Sequence, residues 1–172
     1  MSLKSKFETA KGIARAKLSE GGDENDILDT LKKEHQEVKD LLSELEDASN
    51  AITRRSLVKR IKGALVPHTE AEQRVLYKAL VGLNDDEDAQ VDGYEGYVEH
   101  KRAADTLKEL AAITDAASPK HQATAKVLKE LVTHHIKEEE ANVWSDARKH
   151  FSKEELTKMN TRYLAEKGRV RV

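Results

Sequence analysis

Four long stretches of this chain carry apolar residues at alternating steps of three and four, and each stretch sets one histidine on that apolar line. In residues 27–48 the line is Leu28, Leu31, His35, Val38, Leu42 and Leu45. In 53–80 it is Leu57, Ile61, Leu65, His68, Glu72, Val75 and Ala79. In 87–116 it is His100, Ala103, Leu107, Leu110 and Thr114. In 121–149 it is Leu128, Leu131, His135, Glu139 and then Asn142 or Val143. The period is helical. Amphipathic helices joined by short breaks bury their stripes by packing as antiparallel neighbours. The expected fold is therefore all-α: an antiparallel up-and-down four-helix bundle with extra N-terminal and C-terminal helices. The His35–His68 and His100–His135 separations are nearly equal, so the chain reads as two helical hairpins of similar design.

The bundle is expected to occupy residues 23–150. Before it, residues 1–22 place Leu3, Phe7, Ala10, Ala14 and Leu18 at helical spacing, an amphipathic helix that docks on the body. After it, residues 151–172 form a C-terminal helix and basic tail, opened by Ser152 with Glu155 three residues on. Asp26 is placed to cap the first bundle helix. Pro67 lies inside the second and predicts a kink that Gly63 makes tolerable. The bend is either incidental or a source of room beside His68.

Charge and composition exclude several classes. A formal net charge of -2 lacks the basic footprint of a nucleic-acid-binding domain. The chain has no cysteine, which removes thiolate metal sites and thiol nucleophiles. No apolar run is long enough to span a membrane. The N-terminus has no uninterrupted apolar core of a signal peptide, so a cytoplasmic setting is expected.

The polar residues on the apolar seams carry the chemistry. His68 and Glu72, like His135 and Glu139, stand four apart and so lie one above the other on a helix. An ionised carboxylate in an apolar core is costly unless paired, and the seams offer no Lys or Arg. Bound dications neutralise both glutamates while His35, His68, His100 and His135 supply nitrogen donors. His134 with Glu138 and His150 with Glu154 repeat the spacing. His134, however, points beside the charged face, His150 straddles a helix break, and His121 lies in a turn. These three read as structural or solvent-exposed. Four imidazoles and two carboxylates exceed one tetrahedral zinc, and calcium and magnesium prefer oxygen alone. Two iron or manganese ions bridged by the carboxylates suit the set, and zinc or manganese as isolated fits the same donors.

The segments "LKKEHQEVKDLL", "PHTEAEQRVLYKAL", "YVEHKRAADTLKEL" and "HHIKEEEANVW" carry the ordered pattern H…HxxxE…H…HxxxE. Here the chain resembles the hemerythrin-like, or HHE cation-binding, family, over about residues 27–149. The resemblance implies a bundle around an oxo- or hydroxo-bridged pair of iron ions that binds dioxygen. It implies that His35 and His68 serve one iron, His100 and His135 the other, and Glu72 and Glu139 bridge them. The oxygen-carrying hemerythrins have a HxxxH pair on the third helix, whereas here the positions four away from His100 are Gly96 and Ala104. One iron is then left with an open position, or Tyr97 or Glu99 fills it. The expected function is binding of dioxygen, or another small diatomic or peroxide ligand, for carriage, storage or sensing. The alternatives are a di-iron enzyme of oxidative or nitrosative stress defence, turning over peroxide or reducing nitric oxide, and an iron-handling or iron-sensing protein. No nucleic acid and no membrane are expected as partners.

Overall fold

The computed structural model describes residues 25–172, so the amphipathic stretch expected at 1–22 lies outside the described residues. Among the described residues every regular element is helical. The first rod is α1 (Ile27–Asp47). The second is α2 (Ala51–Glu72), continued through a π-helical turn (Gln73–Tyr77) into the short α3 (Lys78–Val81). The third is α4 (Glu87–Ala112). The fourth is α5 (Pro119–Glu138), continued through a second π-helical turn (Glu139–Val143) into α6 (Trp144–His150). α7 (Lys153–Lys167) follows.

Local chemistry starts each rod. The Asp26 carboxylate accepts from the amides of Leu28 and Asp29, and Asp29 returns a bond to the Asp26 amide, closing a capping box. Asn50 caps α2, Asp86 caps α4, and Ser118 caps α5 with Pro119 in the first turn. Ser152 and Glu155 form the capping box of α7. The third rod ends at Ala112, short of the expected 116, because the chain turns away through Ile113 to Ser118. Buried Arg54 ties the connections together at this end. Its Nε donates to the Ala48 carbonyl at 2.9 Å and its guanidinium to the Ala116 carbonyl at 3.1 Å. Loop carbonyls that would otherwise be orphaned are thereby satisfied.

α1 packs on α2 and on α5, and α4 packs on α5 and on α2, so the four rods enclose a common interior. α7 lies against α1 and α2. The interior holds two apolar clusters. One gathers Leu42, Leu57, Ile61, Leu107, Leu110 and Leu128. The other gathers Leu28, Leu31, Leu76, Tyr77, Trp144 and Tyr163. Along α1, Leu31 belongs to one cluster and Val38 to the other, with His35 between them; on the second rod Leu65, His68 and Ala71 run through the same layers in reverse. The polar residues thus form a layer sandwiched by hydrocarbon.

The irregularity of the second rod falls beyond Pro67. α2 runs through the proline to Glu72, and the hydrogen-bond register changes at Gln73–Tyr77. A π turn inserts one residue and rotates everything after it. The apolar seam accordingly moves off Ala79, which is only half-buried, onto Leu76, Tyr77 and Leu80, all fully buried. In the fourth rod the same device exposes Asn142 and buries Val143.

Candidate metal centre

The buried layer contains all six of the polar seam residues: His35, His68, Glu72, His100, His135 and Glu139. Their inward atoms converge. His35, His68 and Glu72 bring one donor atom each within 4.8 Å of one another, and so do Glu72, His100 and His135. Glu72 Oε2 lies 3.4 Å from His68 Nε2 and 3.5 Å from His100 Nε2. Glu139 Oε2 lies 3.4 Å from His35 Nε2 and 3.4 Å from His135 Nε2. Each carboxylate therefore reaches a histidine of both pairs, as a bridging group does.

Every histidine turns Nε2 inward and engages Nδ1 outside. His35 Nδ1 meets Glu140 at 3.0 Å, His68 Nδ1 meets Glu34 at 3.0 Å, and His135 Nδ1 meets Glu99 at 2.7 Å. His100 Nδ1 meets the Gln73 amide at 3.1 Å. A carboxylate beside Nδ1 holds the ring proton there and leaves Nε2 bare, the form that ligates metals. The pattern repeats between halves: the residue before His35 and His100 supports His68 and His135, and the residue after Glu72 and Glu139 supports His100 and His35. On the His68 side the Tyr163 hydroxyl also donates to Glu34 at 2.5 Å, and Lys167 pairs with the same oxygen at 2.8 Å. Burial pushes the Glu34 carboxyl up, but the bonds from His68, Lys167 and Tyr163 outweigh it and hold it down to about 2.

The electrostatics do not close on protein groups alone. No oxygen of Glu72 or Glu139 has a hydrogen-bond partner, and His35 Nε2 has none either. Burial, and then the charge of Glu139, push the Glu72 carboxyl well above the usual carboxylate range. Burial, and then neighbouring His135, hold His100 well below the usual imidazole range. His100 Nε2 and His135 Nε2 face each other at 2.9 Å. That is the spacing of a hydrogen bond in which one ring carries the proton, and it is also about the spacing of two nitrogens about 2.1 Å from one metal at right angles. Orphaned carboxylates, inward imidazoles and the absence of sulfur fit first-row metal ions with nitrogen and oxygen donors.

The sequence candidates for the third-helix position lie elsewhere. The Tyr97 hydroxyl donates to the Gln73 carbonyl at 2.8 Å, and Glu99 serves His135 from outside. The residue that reaches the centre is Tyr77. It is fully buried, with its hydroxyl 3.5 Å from His100 Nε2 and 3.4 Å from His135 Nε2. Gly96 makes this possible, since a Cβ there would stand 2.5 Å from the Tyr77 ring. α-Helical periodicity hides Tyr77, because a residue five after Glu72 points well away from it, and only the π turn swings it inward. The available signal was the echo of "HTEAEQRVLY" in "HIKEEEANVW", which ends each motif on an aromatic residue. The supporting Glu34 and Glu99 had a similar signal, a glutamate immediately before His35 and before His100.

The remaining histidines stay out of the centre. His134 is exposed, and His150 bonds Asp86. His121 is buried at the far end of α5, and its Nδ1 makes no hydrogen bond, rather than lying in an open turn. Among the described residues no helix is long and apolar enough to cross a membrane.

Comparison with known proteins bears on the same residues. The family model of the hemerythrin HHE cation binding domain matches residues 26–147. The chain is 26% identical over 161 residues to a protein named DNA nickase from Nostoc sp. (strain PCC 7120 / SAG 25.82 / UTEX 2576). That match takes in 92% of this chain but 44% of the relative, so the chain spans less than half of that protein's length. No solved structure matches the chain.

Proposed function

The chain belongs to the hemerythrin HHE cation-binding domain family, and from that premise we propose that it holds two iron ions in the buried layer and binds dioxygen or a related small oxidant there. The observation that carries this reading is the pair of fully buried, unpartnered carboxylates set between four inward Nε2 atoms. His35 and His68 would hold one ion, His100 and His135 the other, with Glu72 and Glu139 bridging. The frame we infer is an antiparallel up-and-down four-helix arrangement, the packing that short connections impose. When bound, the iron pair supplies two electrons and an open coordination position.

The protein's part is positioning and exclusion. Glu140, Glu34 and Glu99 fix the rings of His35, His68 and His135 and keep protons on their outer nitrogens, and the Gln73 amide orients His100. The apolar clusters on either side of the layer keep bulk water from it. A cytoplasmic setting belongs to this reading, on the absence of cysteine.

Tyr77 favours a second reading, an enzyme that turns over peroxide or reduces nitric oxide. Its hydroxyl occupies the side where the resemblance leaves a ligand position unfilled, and a phenol there can hold a proton beside a bound small molecule. The nicking activity in the relative's name is not extended to this chain, whose 30 basic residues are outnumbered by 32 acidic ones.

Elemental analysis of protein grown with iron tests the common ground, and two irons per chain are expected. Exposing the reduced protein to air then separates the readings. A visible absorption that reverses under vacuum supports binding, and rapid irreversible bleaching supports turnover. Protein that takes up no iron would sink both.

A further inference from the structure

The two hairpins present matching grooves to the outside, and one of them is closed while the other is open. In the first hairpin the groove between α1 and α2 is lined by Ile27, Leu31, Ala71 and Val75, all buried in one apolar cluster. α7 lies across it, with Leu156, Met159 and Tyr163 in the same cluster. In the second hairpin the residues at the same places relative to the histidines are Asp92, Gly96, Glu138 and Asn142. Here a narrow cleft, with about 20 Å³ of free volume, lies between α4 and the fourth rod. Asp92, Glu95 and Glu138 stand on its walls, and Tyr77, His135 and Glu139 are reached at its inner end.

The two grooves thus serve as an internal control. The same backbone plan accepts a wholly apolar lining in one hairpin, so the helical pairing does not require carboxylates in the other. None of the residues that line the cleft is Lys or Arg. Burial, and then the charges of Asp146 and Glu95, push the Asp92 carboxyl up, while Glu138 accepts a hydrogen bond from Asn142 at 3.3 Å. At the inner end the Glu139 side chain is 1% exposed, and neither of its oxygens has a hydrogen-bond partner. Elsewhere the centre is covered: Trp144 stacks on His35 at 5.7 Å, and Tyr163 stands edge-on to His68 at 6.4 Å.

We propose that the cleft between α4 and the fourth rod is the route by which divalent metal cations reach the centre, with Asp92, Glu95 and Glu138 drawing them in and passing them to Glu139. The proposal rests on the reading that the centre holds metal. A corridor lined by one sign of charge between low-dielectric walls focuses its field and raises the local cation concentration and the rate of arrival. None of the three mouth residues belongs to the candidate ligand set, so they act on rate rather than on final occupancy.

The test mixes metal-free full-length protein with ferrous iron under nitrogen and follows free iron with a colorimetric chelator. The variant is Asp92→Asn, Glu95→Gln and Glu138→Gln together. The control neutralises three exposed carboxylates on α1, as Glu37→Gln, Asp40→Asn and Glu44→Gln, and circular dichroism checks the fold of both. The expected result is uptake at least about tenfold slower in the cleft variant at low salt. Its final iron content should equal that of the parent, and the control should load at the parental rate. Added salt should slow the parent more than the cleft variant. Equal rates at full loading would overturn the route alone, as would passage only of uncharged ligands. A parent chain that takes up no iron would overturn the reading beneath it as well.

Discussion

Five residues after the inward glutamate, the first hairpin has Tyr77 and the second has Trp144, and each π turn carries its aromatic ring onto a histidine of the other hairpin. Tyr77 meets His100 with ring centroids 5.1 Å apart, and Trp144 stacks on His35 at 5.7 Å. The facing helices differ to match. Opposite Tyr77 stands Gly96, which lets the ring in until its hydroxyl touches the centre; the corresponding place in α1 is Leu31, which belongs to the apolar packing around Trp144. The indole nitrogen of Trp144 is buried without a partner, whereas the Tyr77 hydroxyl lies within 3.5 Å of two inward nitrogens. One plan, written twice, yields an apolar wall on one side and a wall that brings a hydroxyl to the centre on the other. The difference teaches that the repeat sets the buried His/Glu layer, and its departures set what stands against each half of that layer.

The strongest attack on this comparison removes what the halves share. Since each carboxylate reaches both histidine pairs, Glu72→Ala and Glu139→Ala should each drop iron from two per chain to less than one, measured by elemental analysis. Stripping the parent with a chelator should lower Tm by about 10 °C, the consequence of losing a ligand held far above its Kd. The stripped Glu139→Ala protein should be no less stable than the stripped parent, because one buried uncompensated carboxylate is gone.

Next in size is a change at the place where the halves differ. Gly96→Ala puts a methyl into the Tyr77 ring, which should cost about 1–3 kcal/mol by urea denaturation and alter the visible spectrum of the iron-loaded protein. An unchanged spectrum would mean that the Tyr77 hydroxyl is only a bystander.

A smaller effect is expected where α7 seals the first hairpin. Tyr163→Phe removes the bonds to Glu34 and His68 and should cost about 1 kcal/mol. The pH dependence has a definite sign. The folded value of Glu34, about 2, is below its ordinary 4.5, so its contribution is complete above pH 4.5 and is lost as pH falls from there towards 2. Stability curves over that window should flatten in Glu34→Gln, and a slope as steep as the parent's would remove Glu34 from the account.

The mildest change makes the outer supports alike. Gln73→Glu gives His100 the carboxylate partner that His35 has from Glu140. A more basic imidazole should raise ferric affinity by under about tenfold and lower the reduction potential, read by chelator competition and redox titration.

The helical rods, their caps at Asp26 and Ser152, and the six polar seam residues were all legible in the sequence. Each rests on short-range spacing, which a helix converts directly into a shared face. Tyr77 was not legible in the same way. Its distance from Glu72 is wrong for an α-helix and right only once a π turn has formed. Tyr97 and Glu99 looked better placed because they neighbour His100, yet their side chains engage Gln73 and His135. Tyr163 lies far along the chain from His68, and no periodicity links them.

By itself, the sequence determined that this chain forms helices with one polar step per stripe, because side-chain spacing within a helix is local and obligatory. It also determined that the buried charges could not be settled with lysine or arginine, since none lies on those stripes. Only the tertiary structure decided which residues from different helices meet, where the register slips to admit Tyr77, and which groove α7 covers. Those outcomes depend on how whole rods fill space against one another, and that competition is not written at any single spacing.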